Sequence, residues 1–302
     1  MKKAFLLITV LLISVFLSVS CELIETKPSK GTLHVVAIGD NFTGRSDVRQ
    51  LSSCENDADA VCQVFEYWGR KAGMKTDIRN CSGTYFQGFK NALLEVSGIA
   101  QDNDLTVIFV STHGTNDIEH PVSYASSNAD GEGFILEQEG TADLIKIPRS
   151  EILSYSLGIK GKVLFLADFC YSGSFIHQDN FTYNIANYTD SSPLRLFFDS
   201  IPATDSNKVF MLTSSTYYEL SWAGSPLSAY TNSLLGALGL VSYNPSTDKA
   251  TISSSAPVLK NNRIILSDVY KYIYEQTSNS RNSSSQVPQM NTGANDLILF
   301  SL

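Results

Sequence analysis

The chain has 302 residues, is 43% hydrophobic and 17% charged, and carries a formal net charge of −8. That is a globular composition, long enough for one large domain, and it excludes a disordered or fibrous chain. The acidic balance and the lack of any Lys/Arg cluster argue against nucleic acid as the main partner, and they suit a site that attracts cations.

The chain opens with Lys2-Lys3, an apolar run from Ala4 to Leu17, and Ser18-Val19-Ser20 before Cys21. A basic start, a short apolar core and small residues describe an export signal, and the run is too short for a comfortable membrane span. Small residues followed directly by Cys resemble a bacterial lipobox, with Leu17 four residues before the Cys where three is usual. The expected organisation is a lipoprotein signal over 1–21 with lipidation at Cys21, a tether over 22–31, and one domain over 32–302. Such a protein is exported and held on a membrane of the bacterial cell envelope. Cys54, Cys62 and Cys81 then allow at most one disulfide, Cys54–Cys81 or Cys62–Cys81, and no cysteine spacing reads as a zinc site.

Leu33 to Gly39 is strand-like by its β-branched run and terminal glycine. A polar loop leads to Glu55-Asn56-Asp57, acids at the start of a helix whose Ala58, Val61, Val64, Phe65 and Trp68 fall at helical spacing. Met74 to Arg79 is a second strand and Tyr85 to Ile99 a second helix. Leu105 to Thr112 is a third strand, ending at His113-Gly114. From Thr115 to Ile147 no periodicity emerges, and Asp130-Gly131-Glu132-Gly133 reads as a turn. Pro148 to Leu157 is a helix with Pro at its first position.

Val163 to Asp168 is a buried apolar strand, running into Phe169-Cys170-Tyr171-Ser172-Gly173. Ser174 to Asn207 is a long connection of a kind that is usually functional or disordered. Lys208 to Ser215 is a further strand, Tyr230 to Val241 and Ser267 to Glu275 are helices, and Leu297 to Leu302 is a last strand after a Ser/Asn-rich loop over 278–295. Strands alternating with helices predict an α/β fold. Its central sheet is mostly parallel, of about six strands, with helices on both faces.

Two of these strands deliver reactive side chains to the carboxyl edge of the sheet, where open α/β folds place their ligands. One ends in His113-Gly114 and the other in Asp168-x-Cys170. A thiol is mostly protonated at neutral pH, so a nucleophilic Cys needs a base, and His titrates in the working range. Gly114 allows close backbone approach, and the Gly114 and Cys170 amides can serve as oxyanion donors. Taken singly, a Cys at a strand end is more often a packed core residue, and His-Gly after a strand is more often a turn.

Ser111-Thr112-His113-Gly114 and Asp168-Phe169-Cys170-Tyr171-Ser172-Gly173 resemble the His and Cys boxes of the caspase-like cysteine peptidases, and specifically of the metacaspase branch with its bacterial relatives. The order His then Cys, 57 residues apart, agrees. Ala37-Ile38-Gly39, Cys54-Glu55-Asn56-Asp57-Ala58 and Leu212 to Ala223 resemble the family's first strand, its Cys-x-Asn-Asp-Ala segment and its substrate-lining stretch.

The resemblance covers roughly Leu33 to Leu302. It implies a caspase-like fold with Cys170 as nucleophile and His113 as general base and acid. It also implies Asp57 and Asp168 as the acidic floor of a pocket for Arg or Lys before the scissile bond. Without the resemblance, Asp57 reads equally well as an acid favoured by the dipole of a helix amino terminus. Phe169 stands in place of Ser, Tyr171 of His and Thr112 of Gly, which puts pocket shape and rate in question. The Gln-Ala-Cys-x-Gly box of peptidases that cut after Asp is missing.

The leading reading is an exported, membrane-tethered cysteine endopeptidase acting on Arg/Lys-containing peptides or proteins. The alternative is a non-catalytic caspase-like lipoprotein that binds a partner. An α/β hydrolase is disfavoured by the lack of a Gly-x-Ser-x-Gly elbow. No cofactor or metal is required. The acids near Asp102 and Asp130 are candidates for calcium, as in some relatives, but lack an EF-hand spacing. His34 reads as strand packing, and His120 and His177 as loop residues. Arg195 and Lys208 are the basic residues at which the long connection could process itself.

Overall fold

The computed structural model describes residues 30–116, 132–141, 143–176, 208–217, 219–278, 286–291 and 297–302. In chain order come β1 (Thr32–Gly39), α1 (Cys54–Lys71), β2 (Lys75–Asn80), α2 (Tyr85–Ile99), β3 (Leu105–Ser111), β4 (Gly114–Asn116), β5 (Glu132–Glu137) and β6 (Leu144–Pro148). There follow α3 (Arg149–Gly158), β7 (Lys162–Asp168), a 3-10 turn (Ser172–Phe175), β8 (Val209–Thr213), α4 (Ala229–Ala237), β9 (Leu240–Asn244) and β10 (Lys249–Ile252). The last elements are β11 (Arg263–Ile265), α5 (Leu266–Thr277), β12 (Gln289–Met290) and β13 (Ile298–Ser301).

The central sheet has six strands in the order β12-β8-β7-β3-β1-β2. All its pairings are parallel except that of β12 with β8. Its inner strands β1, β3, β7 and β8 are apolar almost without break because both faces are buried, as parallel sheets require, whereas the edge strand β2 is polar and half-exposed. Alternate side chains sort into two cores. Val35, Ala37, Val107, Phe109, Leu164 and Leu166 meet α1, α4 and α5. Val36, Ile38, Ile108, Val110, Phe165 and Ala167 meet α2, α3 and β5. The predicted α/β class, sheet and two-sided helix cover are therefore present. Strand order reverses between β1 and β3, which makes the crevice at their carboxyl ends the natural ligand site.

Several local readings are corrected. The stretch read as irregular from Thr115 holds a three-stranded antiparallel sheet, β4-β5-β6. The Asp130-Gly131-Glu132-Gly133 turn reading is corrected as well, since β5 begins at Glu132, and residues 117–131 lie outside the described ones. The helix read over Tyr230 to Val241 ends at Ala237, and Gly239 at φ +86° turns the chain into the β9–β10 hairpin. Pro148 sits before α3 as its cap, not inside it. The terminal strand β13 pairs with β11 rather than with the main sheet.

Cys54, Cys62, Cys81 and Cys170 are free thiols, so neither candidate disulfide is present. Cys62 packs into the first core and Cys81 into the second. His34 is more than packing. It is buried in β1, with Nδ1 2.9 Å from Asp77 and Nε2 3.3 Å from Asp104. Among the described residues no helix is long and apolar enough to cross a membrane. The export signal, Cys21, Asp130, His120, His177 and Arg195 lie outside the described residues.

Candidate active site

β3 and β7 run side by side with Ser111 in register with Asp168, so the chain leaves both strands at the same edge. Two residues further on, one strand presents His113 and the other Cys170. The two exits are packed together at Gly114, where a Cβ would stand 1.8 Å from the Cys170 carbonyl oxygen. Only glycine fits there, which is the close approach its sequence position suggested. The His113 carbonyl accepts from the Ile135 amide at 2.9 Å. Because amides alternate along an antiparallel pair, that of Gly114 points away from β5.

His113 is oriented by a loop that the sequence reading passed over. Its ring lies 5.2 Å from that of Phe42, a fully buried residue held at φ +54°. Nε2 lies 2.6 Å from the Arg49 carbonyl oxygen. A carbonyl only accepts, so Nε2 carries the proton and Nδ1 is left as the basic nitrogen. The one signal of this arrangement in the sequence is Phe42, a large aromatic inside a polar loop. Asp40 begins that loop, and its carboxylate accepts from the amides of Phe42 at 2.9 Å and Glu137 at 3.0 Å.

Cys170 is partly buried, and its Sγ donates to the Ser221 carbonyl oxygen at 3.8 Å. Burial pushes the thiol above its ordinary value, Asp168 adds to the shift, and Arg49 works against it. The thiol is therefore neutral as it stands and needs a base to become a nucleophile. The turn that carries it is bolted to the end of β8. Ser214 Oγ and Ser215 Oγ each donate to the Phe169 carbonyl at 3.3 Å. The Tyr171 amide, at φ +63°, donates to the Glu219 carbonyl at 2.8 Å.

Phe169, which stands where the family has Ser, is turned into the core. Phe169 is 1% exposed and packs 5.3 Å from both Phe134 and Phe175, in the second core. Thr112 is likewise occupied, donating to the Ile135 carbonyl at 2.7 Å.

Asp57 and Asp168 come together beneath this edge. Asp57, in the first turn of α1, is 0% exposed and Asp168 is 4% exposed. Ser228 bridges them, its amide donating to Asp57 Oδ1 at 2.9 Å and its hydroxyl to Asp168 Oδ2. Ser111 Oγ donates to Asp57 Oδ2 at 2.9 Å. Ser221 Oγ and Thr231 Oγ1 donate to Asp168, each at 2.7 Å.

Burial holds both carboxyls above their ordinary value, and the charge of Asp168 adds to the shift at Asp57. Among the described residues neither carboxylate takes part in an ion pair. Two buried acids without a cation leave a site that a guanidinium or ammonium would neutralise. Ser221 and Ser228 were missed in the sequence, because their roles depend on a loop reaching back from beyond β8. Cys54 also lies here as a buried thiol, raised mainly by burial and next by Asp57. Among the described residues no group of three or more His, Cys, Asp or Glu side chains is placed to hold a metal ion.

The family model described as "Caspase domain" matches residues 32–296. A protein from Geobacter sulfurreducens, solved by crystallography in structural genomics, superposes with a TM-score of 0.51 at 16% identity. The alignment covers 86% of this chain and 92% of that one. Caspase-1 from Spodoptera frugiperda aligns with a TM-score of 0.49 at 10% identity, over 90% of each chain. No curated protein matches.

Proposed function

The chain belongs to the caspase-domain family of cysteine peptidases, and on that premise we propose that it is an exported, membrane-tethered cysteine endopeptidase of metacaspase type that cuts after Arg or Lys. The observation that carries the specificity is the buried Asp57–Asp168 pair, bridged by Ser228 and lacking a cation among the described residues. It lies one turn of chain from Cys170. An Arg or Lys side chain lowered onto it meets two acceptors already desolvated, whereas an Asp side chain meets like charge.

In the proposed reaction Nδ1 of His113 removes the Sγ proton of Cys170, and the thiolate attacks the scissile carbonyl carbon. The oxyanion is received by the Gly114 and Cys170 amides. His113 then gives its proton to the departing amine, leaving a thioester on Cys170. Water, deprotonated by His113, hydrolyses the thioester and restores the thiol. No metal or cofactor enters these steps.

The test is turnover of reporter peptides ending in Arg, Lys or Asp, with reductant and calcium supplied. Cleavage after Arg and Lys but not Asp is expected. Silence on all three, or preference for Asp, would end this reading and favour a non-catalytic binding module.

The self-processing expectation narrows to Arg195. Lys208 sits at the amino edge of the sheet, its Nζ donating to the Leu157 carbonyl at 2.6 Å and its own carbonyl accepting from Val163. Cys170 leaves from the opposite edge, about 20 Å away along β7 at 3.3 Å per residue. One intact-mass spectrum of purified protein checks two points together. It should show a mature chain starting at a lipid-bearing Cys21, and a cut after Arg195 that the Cys170→Ala variant lacks. An unmodified Cys21, or equal cutting in the variant, contradicts the respective part.

A further inference from the structure

Beyond β8 the chain crosses the Cys170 edge as an irregular strap, Glu219 to Trp222, and three of its contacts set the geometry described above. The Glu219 carbonyl accepts from the Tyr171 amide, the Ser221 carbonyl from the Cys170 thiol, and Ser221 Oγ donates to Asp168. The strap belongs to no strand and is partly open, with Leu220 47% and Trp222 38% exposed. It is held from outside by the short segment before β12. The Trp222 amide donates to Gln286 Oε1 at 2.9 Å, and the Val287 amide donates to Glu219 Oε2 at 3.1 Å.

Gln286 is 0% exposed, and among the described residues its Nε2 has no hydrogen-bond partner. A buried amide with an unanswered donor destabilises the fold at that position. What it supplies in return is one acceptor, aimed at the strap residue that follows Ser221.

We infer that Gln286 is a positioning residue of the active site, pinning Trp222 so that Ser221 keeps its contacts with Asp168 and Cys170. This rests on the peptidase reading and deepens it. Among the described residues the hydrogen bond of Gln286 goes to the strap and not to Cys170, Asp57 or Asp168, so it acts through the strap. Loss of its acceptor should loosen the strap and weaken substrate binding more than the chemical step, because the Cys170 turn keeps its other bonds to Ser214 and Ser215.

Gln286→Met keeps side-chain volume and removes the acceptor, whereas Gln286→Glu keeps an acceptor. The chain has two tryptophans, and Trp68 is fully buried, so acrylamide quenching reports Trp222. Gln286→Met is expected to raise the Trp222 quenching constant about two-fold. It should also raise KM on the Arg reporter about ten-fold, with kcat within about three-fold. Gln286→Glu should stay closer to wild type than Gln286→Met in both, at a cost in melting temperature because it buries a carboxyl.

Unchanged quenching in Gln286→Met overturns the inference, whatever the turnover. Should that variant not fold, hydrogen exchange on the wild type decides: a protected Trp222 amide supports the latch, and exchange at the rate of an open loop refutes it. If the wild type cuts no reporter the peptidase reading falls, while quenching and exchange still judge the latch.

Discussion

Cys170→Ala is expected to lower kcat/KM on an Arg-terminated peptide by at least about 10⁴-fold, with His113→Ala close behind and the double variant hardly worse than either. Nucleophile and base act as one unit, so removing either leaves only binding and oxyanion donors. The resting thiol makes the dependence on His113 strong. It is partly buried, raised by that burial and engaged with the Ser221 carbonyl. In the proposed reaction Nδ1 of His113 is the group that takes its proton.

Alkylation of Cys170 by iodoacetamide gives a second measure that does not need the pocket. In His113→Ala its rate should climb only in alkaline solution, as the isolated thiol ionises. A variant that alkylates at neutral pH as fast as wild type would remove His113 from the proposed role.

The other large effect concerns the buried acids and has opposite signs for binding and stability. Asp57→Asn should reduce kcat/KM for Arg peptides by about 10²-fold or more, mostly through KM, since a charge-assisted contact becomes a neutral one. The same change should raise the melting temperature at pH 7 by about 2 °C or more. Asn can keep both contacts, accepting from the Ser228 amide and donating to Ser111 Oγ, while the repulsion from Asp168 disappears.

Both acids are raised in the fold, so between the ordinary carboxylate value near 3.8 and the raised value the folded chain holds protons that the unfolded chain has released. Stability contributed there falls as pH rises through that window, and the loss is complete above the raised value. The gain from Asp57→Asn should accordingly shrink on acidification toward pH 4. A melting temperature lowered at pH 7, or a gain independent of pH, would contradict the mutual strain of the pair.

The parts of the site that were legible in the sequence are those fixed by strand ends. An apolar run dictates a buried strand, and whatever follows it must emerge at the sheet edge, which located His113, Gly114, Asp168 and Cys170. Asp57 was ambiguous because a helix-start acid and a pocket floor make the same pattern, and it is in fact both in the first turn of α1 and bridged to Asp168 by Ser228. The Arg49 carbonyl and Gln286 were invisible. One is a main-chain atom that carries no residue preference, and the other sits among Ser and Asn more than a hundred residues from the thiol. The burial of Phe169 against Phe134 and Phe175 was not legible, since neighbours in sequence do not tell which face of the turn a residue occupies. The β4-β5-β6 sheet was missed because β5 begins inside a Gly-rich stretch that reads as a turn.

The pairing of β7 with β8 also settles what a broken chain would look like. Everything from Thr32 through Cys170 lies before the long connection, and Ser221, Ser228, Thr231 and Gln286 lie after it. The two stretches share the centre of one sheet, with five registered residue pairs between them and α1 packed against α4. Scission anywhere between β7 and β8 therefore yields complementary fragments and not two independent domains. On the proposed reading neither fragment alone owns the whole acidic pocket, so mixing separately produced halves should restore what each half lacks.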